Sequence, residues 1–230
     1  MTQSINPGRL LQDSFASVGR VYGAALILSL PSLIQALLTT FAGRESAIAR
    51  IINFIYFFII LPWFTGAITI YIYQKLTERN ITVGQALQLA SKRILPLILG
   101  LLLVAIISVG GFILLIIPGI YLSMRLAFTT YPIALENCSA TEGLKRSWEL
   151  VKGRWWSVFF AAIGITLLLF FPIGLISGVI GATIQPPQGV IIAQCLAGII
   201  GFLVTPILSV YFILLYMRLQ ATKTVDIQDI

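Results

Sequence analysis

Polar residues are sparse along this chain, and they recur in the same place relative to long apolar runs. Charge-free stretches cover residues 21–43 and 51–74; residues 94–135 contain a single charge, Arg125, and residues 155–217 contain none. A helix needs roughly 20 apolar residues to cross a bilayer, so the first two runs predict one span each. The third is long enough for two tight spans, with its turn at Gly110-Gly111 or at Pro118-Gly119 and a kink at whichever is not the turn. Gln185-Pro186-Pro187-Gln188 breaks the fourth run into two more. The pattern therefore predicts an all-α integral membrane fold of six transmembrane helices in three hairpins, forming one domain over residues 1–230.

The polar stretches between the runs carry a helical period of their own. In 139–156, Leu144, Trp148, Val151 and Trp155 form one stripe, with Lys145, Arg146, Glu149 and Lys152 off it. Ser139 with Glu142 is a capping-box start. Leu11, Phe15, Val18 and Tyr22 repeat the spacing before the first run, with Asn6 as cap and Pro7 at the first helical position. Before the third run, Thr82 with Gln85 opens a stripe of Leu87, Ile94 and Ile98, where Ser91 is the polar exception. The chain thus reads as three copies of one unit, over about 6–75, 82–136 and 139–220: an amphipathic interfacial helix followed by a hairpin.

Composition strengthens the membrane reading. Hydrophobic residues make up 58% of the 230 and charged residues 10%, against roughly 25% charged in a water-soluble domain. No short apolar segment near the start ends in a small-residue cleavage site, so the first run is expected to act as the insertion signal itself. Under the six-span count, Arg9, Arg20, Lys75, Arg79, Lys92, Arg93, Lys145, Arg146, Lys152, Arg154, Arg218 and Lys223 fall on one side, leaving Arg44 and Arg50 on the other. The positive-inside rule then makes both termini cytoplasmic. The net charge of +7 reads as attraction to anionic membrane lipid rather than to nucleic acid.

A resemblance enters through particular residues. Ile117-Pro118-Gly119-Ile120-Tyr121, Arg125-Leu126, Glu136 and the run from Ser147 through Trp148, Glu149 and Lys152 to Arg154 and Trp155 resemble the membrane domain of some bacterial glycerophosphoryl diester phosphodiesterases. Gly66-Ala67 and the run from Thr82 to Leu87 fit the same pattern. The resemblance implies a multi-pass protein of a bacterial inner membrane and supplies no catalytic residues. The phosphodiesterase activity of such proteins belongs to a separate barrel that uses histidines and metal-binding carboxylates, and this chain has no histidine.

The residues themselves give little to build an enzyme from. All eight acids fall in loops or interfacial segments, so an intramembrane proton relay is not expected. Two isolated cysteines make neither a disulfide framework nor a metal site, and Cys195 reads as packing. Gly174-x-x-x-Gly178 and Ala197-x-x-x-Gly201 read as internal helix contacts. The candidate binding residues are Arg125, with Pro118 and Gly119 before it, and the basic set Lys145, Arg146, Trp148, Lys152 and Arg154. A charge inside a span costs about 2.5–3.5 kcal/mol unless paired or hydrated, so Arg125 is expected against a polar group: a carbonyl freed by Pro118, water or a lipid phosphate. With the turn at Pro118-Gly119 it could instead snorkel to the outer surface. The expectation is a non-enzymatic membrane protein that binds lipid or a membrane-protein partner, needs no cofactor and engages no nucleic acid. The alternative is a transporter for a lipid or amphiphile.

Overall fold

The computed structural model of the protein describes residues 7–42 and 46–228; the Asn6 cap and Arg44 lie outside them. Every regular element among the described residues is helical. Helix α1 runs Pro7–Ala42 and α2 runs Ala47–Ile55. A π-helical turn, Tyr56–Ile60, joins α2 to α3 (Leu61–Leu76). In that turn the Leu61 N–H donates to Tyr56 O, five residues back. The widening sits directly before Pro62, whose ring crowds the preceding turn and which has no N–H to contribute. The chain continues through α4 (Val83–Lys92), α5 (Ile94–Leu114), α6 (Ile116–Leu126), α7 (Thr130–Glu136), α8 (Ala140–Val151), α9 (Trp155–Thr183) and α10 (Gln188–Gln228). Five segments are long and apolar enough to cross a membrane: Gly8–Ala42, Ala47–Leu76, Ile94–Leu114, Trp155–Thr183 and Gln188–Lys223.

The helix starts follow the capping chemistry of the sequence. Thr82 and Gln85 form a reciprocal capping box on α4, and Ser139 and Glu142 form one on α8. Ser46 caps α2 by accepting from Ala49 N–H. The helix ends bring a correction. The turn of the middle hairpin is a single extended residue, Leu115, between α5 and α6. Gly110-Gly111 and Pro118-Gly119 flank it and neither is the turn; Gly111 and Gly119 are packing positions. A Cβ on Gly119 would fall 2.4 Å from the Phe112 ring, and one on Gly111 would fall 3.0 Å from Gly119 Cα. Two missing side chains let the helices meet so closely that one residue suffices to reverse the chain.

The buried stripes are also displaced from those the apolar pattern predicts. In α1 the buried positions are Leu10, Ser14, Val21, Ala25, Leu28 and Ser29, while Phe15 is exposed. In α4 and early α5 they are Ala86, Ala90 and Leu97; in α8 they are Gly143, Ser147, Leu150 and Val151. In each helix the protein-facing positions stand one residue before the bulky apolar stripe, about 100° round the helix, and Val151 of the α8 stripe is buried with them. The cause is visible at Gly143, where a Cβ would lie 2.6 Å from Ile133 and 3.0 Å from Thr129 O. The interior selects the small residues that allow close helix contact, and the bulky apolar neighbours are turned outward.

The core accordingly occupies one part of the molecule. Its buried residues come from α1 up to Leu28, the later half of α3, α4, Leu97 early in α5, α7, the end of α8, Val158 to Ile165 early in α9, and Val210 to Leu219 of α10. Large exposed apolar side chains gather on the remaining parts of the long helices, among them Leu38, Phe57, Ile113 and Phe171. Gly174 and Gly178 belong to that exposed surface, with no atom within 4 Å of a Cβ on either. The internal packing expected of that pair is therefore absent.

Candidate functional site

Arg125 ends α6 beside the C-terminus of α8, and each helix end satisfies the other. The last carbonyls of a helix have no partner within it. At α8, the Lys152 N–H donates to Glu149 O, which leaves the Trp148 carbonyl to be met from elsewhere. Arg125 Nη1 donates to it at 2.9 Å, placing a cation at the negative end of the helix. In return, Ser147 Oγ donates to Arg125 O at 2.8 Å and accepts from Phe128 N–H at 3.1 Å. Ser147 is fully buried.

The rest of the guanidinium is committed too. Nε and Nη2 donate to Tyr121 Oη at 3.0 and 2.6 Å. Its carbon lies 4.7 Å from the Trp148 ring centre and 5.2 Å from that of Tyr121. Tyr121 stacks on Trp155, whose indole N–H donates to Tyr121 O at 3.2 Å. Arg125 is 9% exposed, held by two aromatic faces and three hydrogen bonds to this chain. Pro118 and Gly119 sit in the first turn of α6, away from the guanidinium. The polar partner of Arg125 is the Trp148 carbonyl together with the Tyr121 hydroxyl, in place of a carbonyl freed by Pro118.

The basic set divides. Arg146 pairs with Glu136, whose Oε1 also accepts from Tyr216 Oη at 2.9 Å and from Gln220 Nε2 at 3.0 Å. Arg154 donates to Thr222 at 2.6 Å. Lys223 meets Glu149 at 3.1 Å, and Arg218 pairs with Asp13. These contacts tie the ends of α1, α7, α8 and α10 together around a recess of about 490 Å³ between Glu136, Arg146, Glu149 and Lys223. Lys145 and Lys152 make no ion pair among the described residues, and both are exposed. With Trp148, which is 38% exposed, they form the outward face of α8 at positions i, i+3 and i+7.

Sequence reasoning missed the Glu136–Tyr216–Gln220 network. The i, i+4 spacing of Tyr216 and Gln220 was its available signal. Missed as well was an internal cavity of about 250 Å³ between α1, α3, α7 and α10, lined by hydroxyl-bearing residues. No group of three or more potential metal ligands occurs among the described residues.

No curated protein and no solved structure matches the chain. The profile of a domain of unknown function (DUF7847) matches residues 82–219, well over half of the chain and the whole of α4 to α9, and the protein belongs to that family.

Proposed function

We propose that the protein is a non-enzymatic, multi-pass protein of a bacterial-type inner membrane that binds anionic lipid at its basic end and acts there as a scaffold or accessory subunit for a membrane-protein partner. In this reading the six passes form three hairpins, the fourth pass being α6 and α7 together, with both termini, α4 and α8 on the cytoplasmic side. The resemblance to the membrane domain of glycerophosphoryl diester phosphodiesterases points the same way, since that domain brings no catalytic residues.

The observation that carries the reading is the outward face of α8. Packing is done by Gly143, Ser147 and Leu150, which leaves Trp148 exposed between Lys145 and Lys152. Trp156, 65% exposed, follows at the start of α9. An indole at head-group depth flanked by ammonium groups is the arrangement that holds anionic lipid at a membrane surface. Each basic residue near such a surface contributes about 1 kcal/mol, so removing two weakens the attraction by roughly 30-fold. The test is the phospholipid that co-purifies in mild detergent, measured by mass spectrometry for wild type and for a protein carrying Lys145→Glu and Lys152→Glu. Anionic lipid should fall relative to zwitterionic lipid. An unchanged ratio rejects the lipid-binding role of α8.

The topology has its own test. Cysteines replacing Glu78 and Gln185 should be labelled by an impermeant reagent from opposite sides. A transporter for an amphiphile is the second reading. What favours it is the convergence of Pro31, Pro62 and Pro206 around the internal cavity. Movement of a fluorescent lipid in proteoliposomes would select it over a scaffold.

A further inference from the structure

The cavity between α1, α3, α7 and α10 has a lining that is selective in its chemistry. Ser29, Ser32, Tyr56, Thr65, Thr69, Tyr131, Thr205 and Ser209 all contribute to it, alongside Leu28, Phe64 and Ile213. No carboxylate, ammonium or guanidinium lines it. A buried site with no countercharge rejects an ion, because an unpaired charge there loses its hydration without replacement. A purely hydrocarbon occupant is disfavoured as well, because four of the eight hydroxyls have no hydrogen-bond partner among the described residues and would be left unmatched.

The hydroxyls fall into two sets. Ser29, Ser32, Thr205 and Ser209 donate to carbonyls of their own helices, at 2.8, 2.7, 2.8 and 2.9 Å. Their protons are in use and their lone pairs remain to accept. Tyr56, Thr65, Thr69 and Tyr131 have no hydrogen-bond partner among the described residues, so their O–H groups remain to donate. The lining therefore offers both donors and acceptors, the requirement of a ligand group that is itself both. Three features shape the space: Pro31 lines it, Thr205 precedes Pro206, and Tyr56 opens the π-helical turn ahead of Pro62. Proline removes a backbone N–H and bends a helix, and three bent segments leave room that straight helices would close. Thr65 is exposed while Thr69 and Ile68 are buried, so the cavity opens sideways at Thr65, on a segment apolar enough to lie in a membrane.

The geometry points to a binding site for an uncharged lipid head bearing hydroxyl or ester groups, entering from the bilayer past Thr65, with its chain left outside among the helices. Cavities of about 150 Å³ accommodate a benzene ring, and 250 Å³ holds a polyol or ester head but no complete lipid. The site is separate from the basic face of α8 and does not depend on the role proposed for it.

Native mass spectrometry of the intact protein in mild detergent tests the site with two probes that share a chain and differ in head, 1-oleoylglycerol and oleate. One saturable adduct of 1-oleoylglycerol is expected, with oleate at least tenfold weaker. Thr69→Val and Tyr131→Phe each remove one free hydroxyl and should weaken the adduct by about two- to tenfold. Ser209→Leu fills the space and should abolish it. Lys145→Glu with Lys152→Glu should leave it unchanged, which separates failure of this site from failure of the α8 reading. Equal binding of oleate, or adducts that never saturate, overturn the assignment. So does undiminished binding by Tyr131→Phe, a variant that alters no packing and decides the matter even if Ser209→Leu fails to fold.

Discussion

Replacing Ser147 with alanine removes one oxygen atom and should be among the more damaging small changes available in this protein. Its hydroxyl joins two helix ends, donating to Arg125 O at 2.8 Å and accepting from Phe128 N–H at 3.1 Å in a fully buried position. Alanine leaves both backbone groups in place with nothing to bond, and no water reaches the site. An unsatisfied buried polar group costs about 1–3 kcal/mol, so two cost about 2–4 kcal/mol after partial relaxation. For a chain of this size 1 kcal/mol moves the unfolding midpoint by about 2–4 °C, and the expected fall is about 4–16 °C. A thiol-reactive fluorophore supplies the assay, because Cys138 is buried two residues beyond α7 and becomes labelled as the α7–α8 region opens. A fall under about 2 °C would mean that the two backbone groups find other partners and that the mutual capping of α6 and α8 contributes little.

Ser177 provides the counterpart, since its buried hydroxyl has no partner among the described residues; Ser177→Ala should be neutral or slightly stabilising in the same assay. Arg125→Leu should lower the midpoint by more than Arg125→Lys. Lysine can keep one bond to the Trp148 carbonyl and the charge at the end of α8, whereas leucine strands that carbonyl and the Tyr121 hydroxyl; equal effects would remove the planar fork from the account. The Cys138 thiol is pushed above its ordinary value, chiefly by burial and then by Glu142. In the folded protein it should react with a maleimide more slowly at pH 8 than it does after unfolding in denaturant. Because the folded form holds this proton more tightly, the contribution of Cys138 to stability is complete below the ordinary thiol range and is lost as pH rises through it. A midpoint in Cys138→Ala that follows the wild-type profile above pH 9 would remove that contribution.

Much of the fold was legible because the signals were local. Capping boxes at Thr82 and Ser139 involve residues three apart, and long apolar runs announce long helices whatever surrounds them. The protein-facing side of α1, α4 and α8 was not legible, for the periodicity of large apolar residues marks two faces at once in a membrane protein: one toward lipid and one toward the core. Gly143, Ser147, Ala86 and Ser14 hold the inner face through smallness, which a hydrophobicity pattern does not register. Arg125 stood out in the sequence as a charge within an apolar run. Its partners could not, because the Trp148 carbonyl becomes available only through the way α8 ends. The cavity hydroxyls come from four helices far apart in the chain, and serines and threonines scattered through apolar runs carry no spacing that would join them.

The shortness of α6 has a consequence for the bilayer itself. From Leu115 to Glu136 the chain rises at most about 32 Å if helical throughout, whereas α10 rises about 48 Å from Gln188 to Gln220, the residue that bonds Glu136. With both segments upright, that difference sets the tip at Leu115 roughly 15 Å short of the level reached by the α9–α10 turn, and Ile113, Leu114, Leu115, Ile116 and Ile117 around it are 70–81% exposed. A membrane meeting this molecule would encounter a tall flank on one side and a low, greasy shoulder on the other. Lipids on the low side must thin or tilt to cover the shoulder, at a cost that grows with each ångström of mismatch. A second protein placed against that flank would relieve the deformation, so the bilayer supplies a force toward assembly on this side that no side-chain contact need provide.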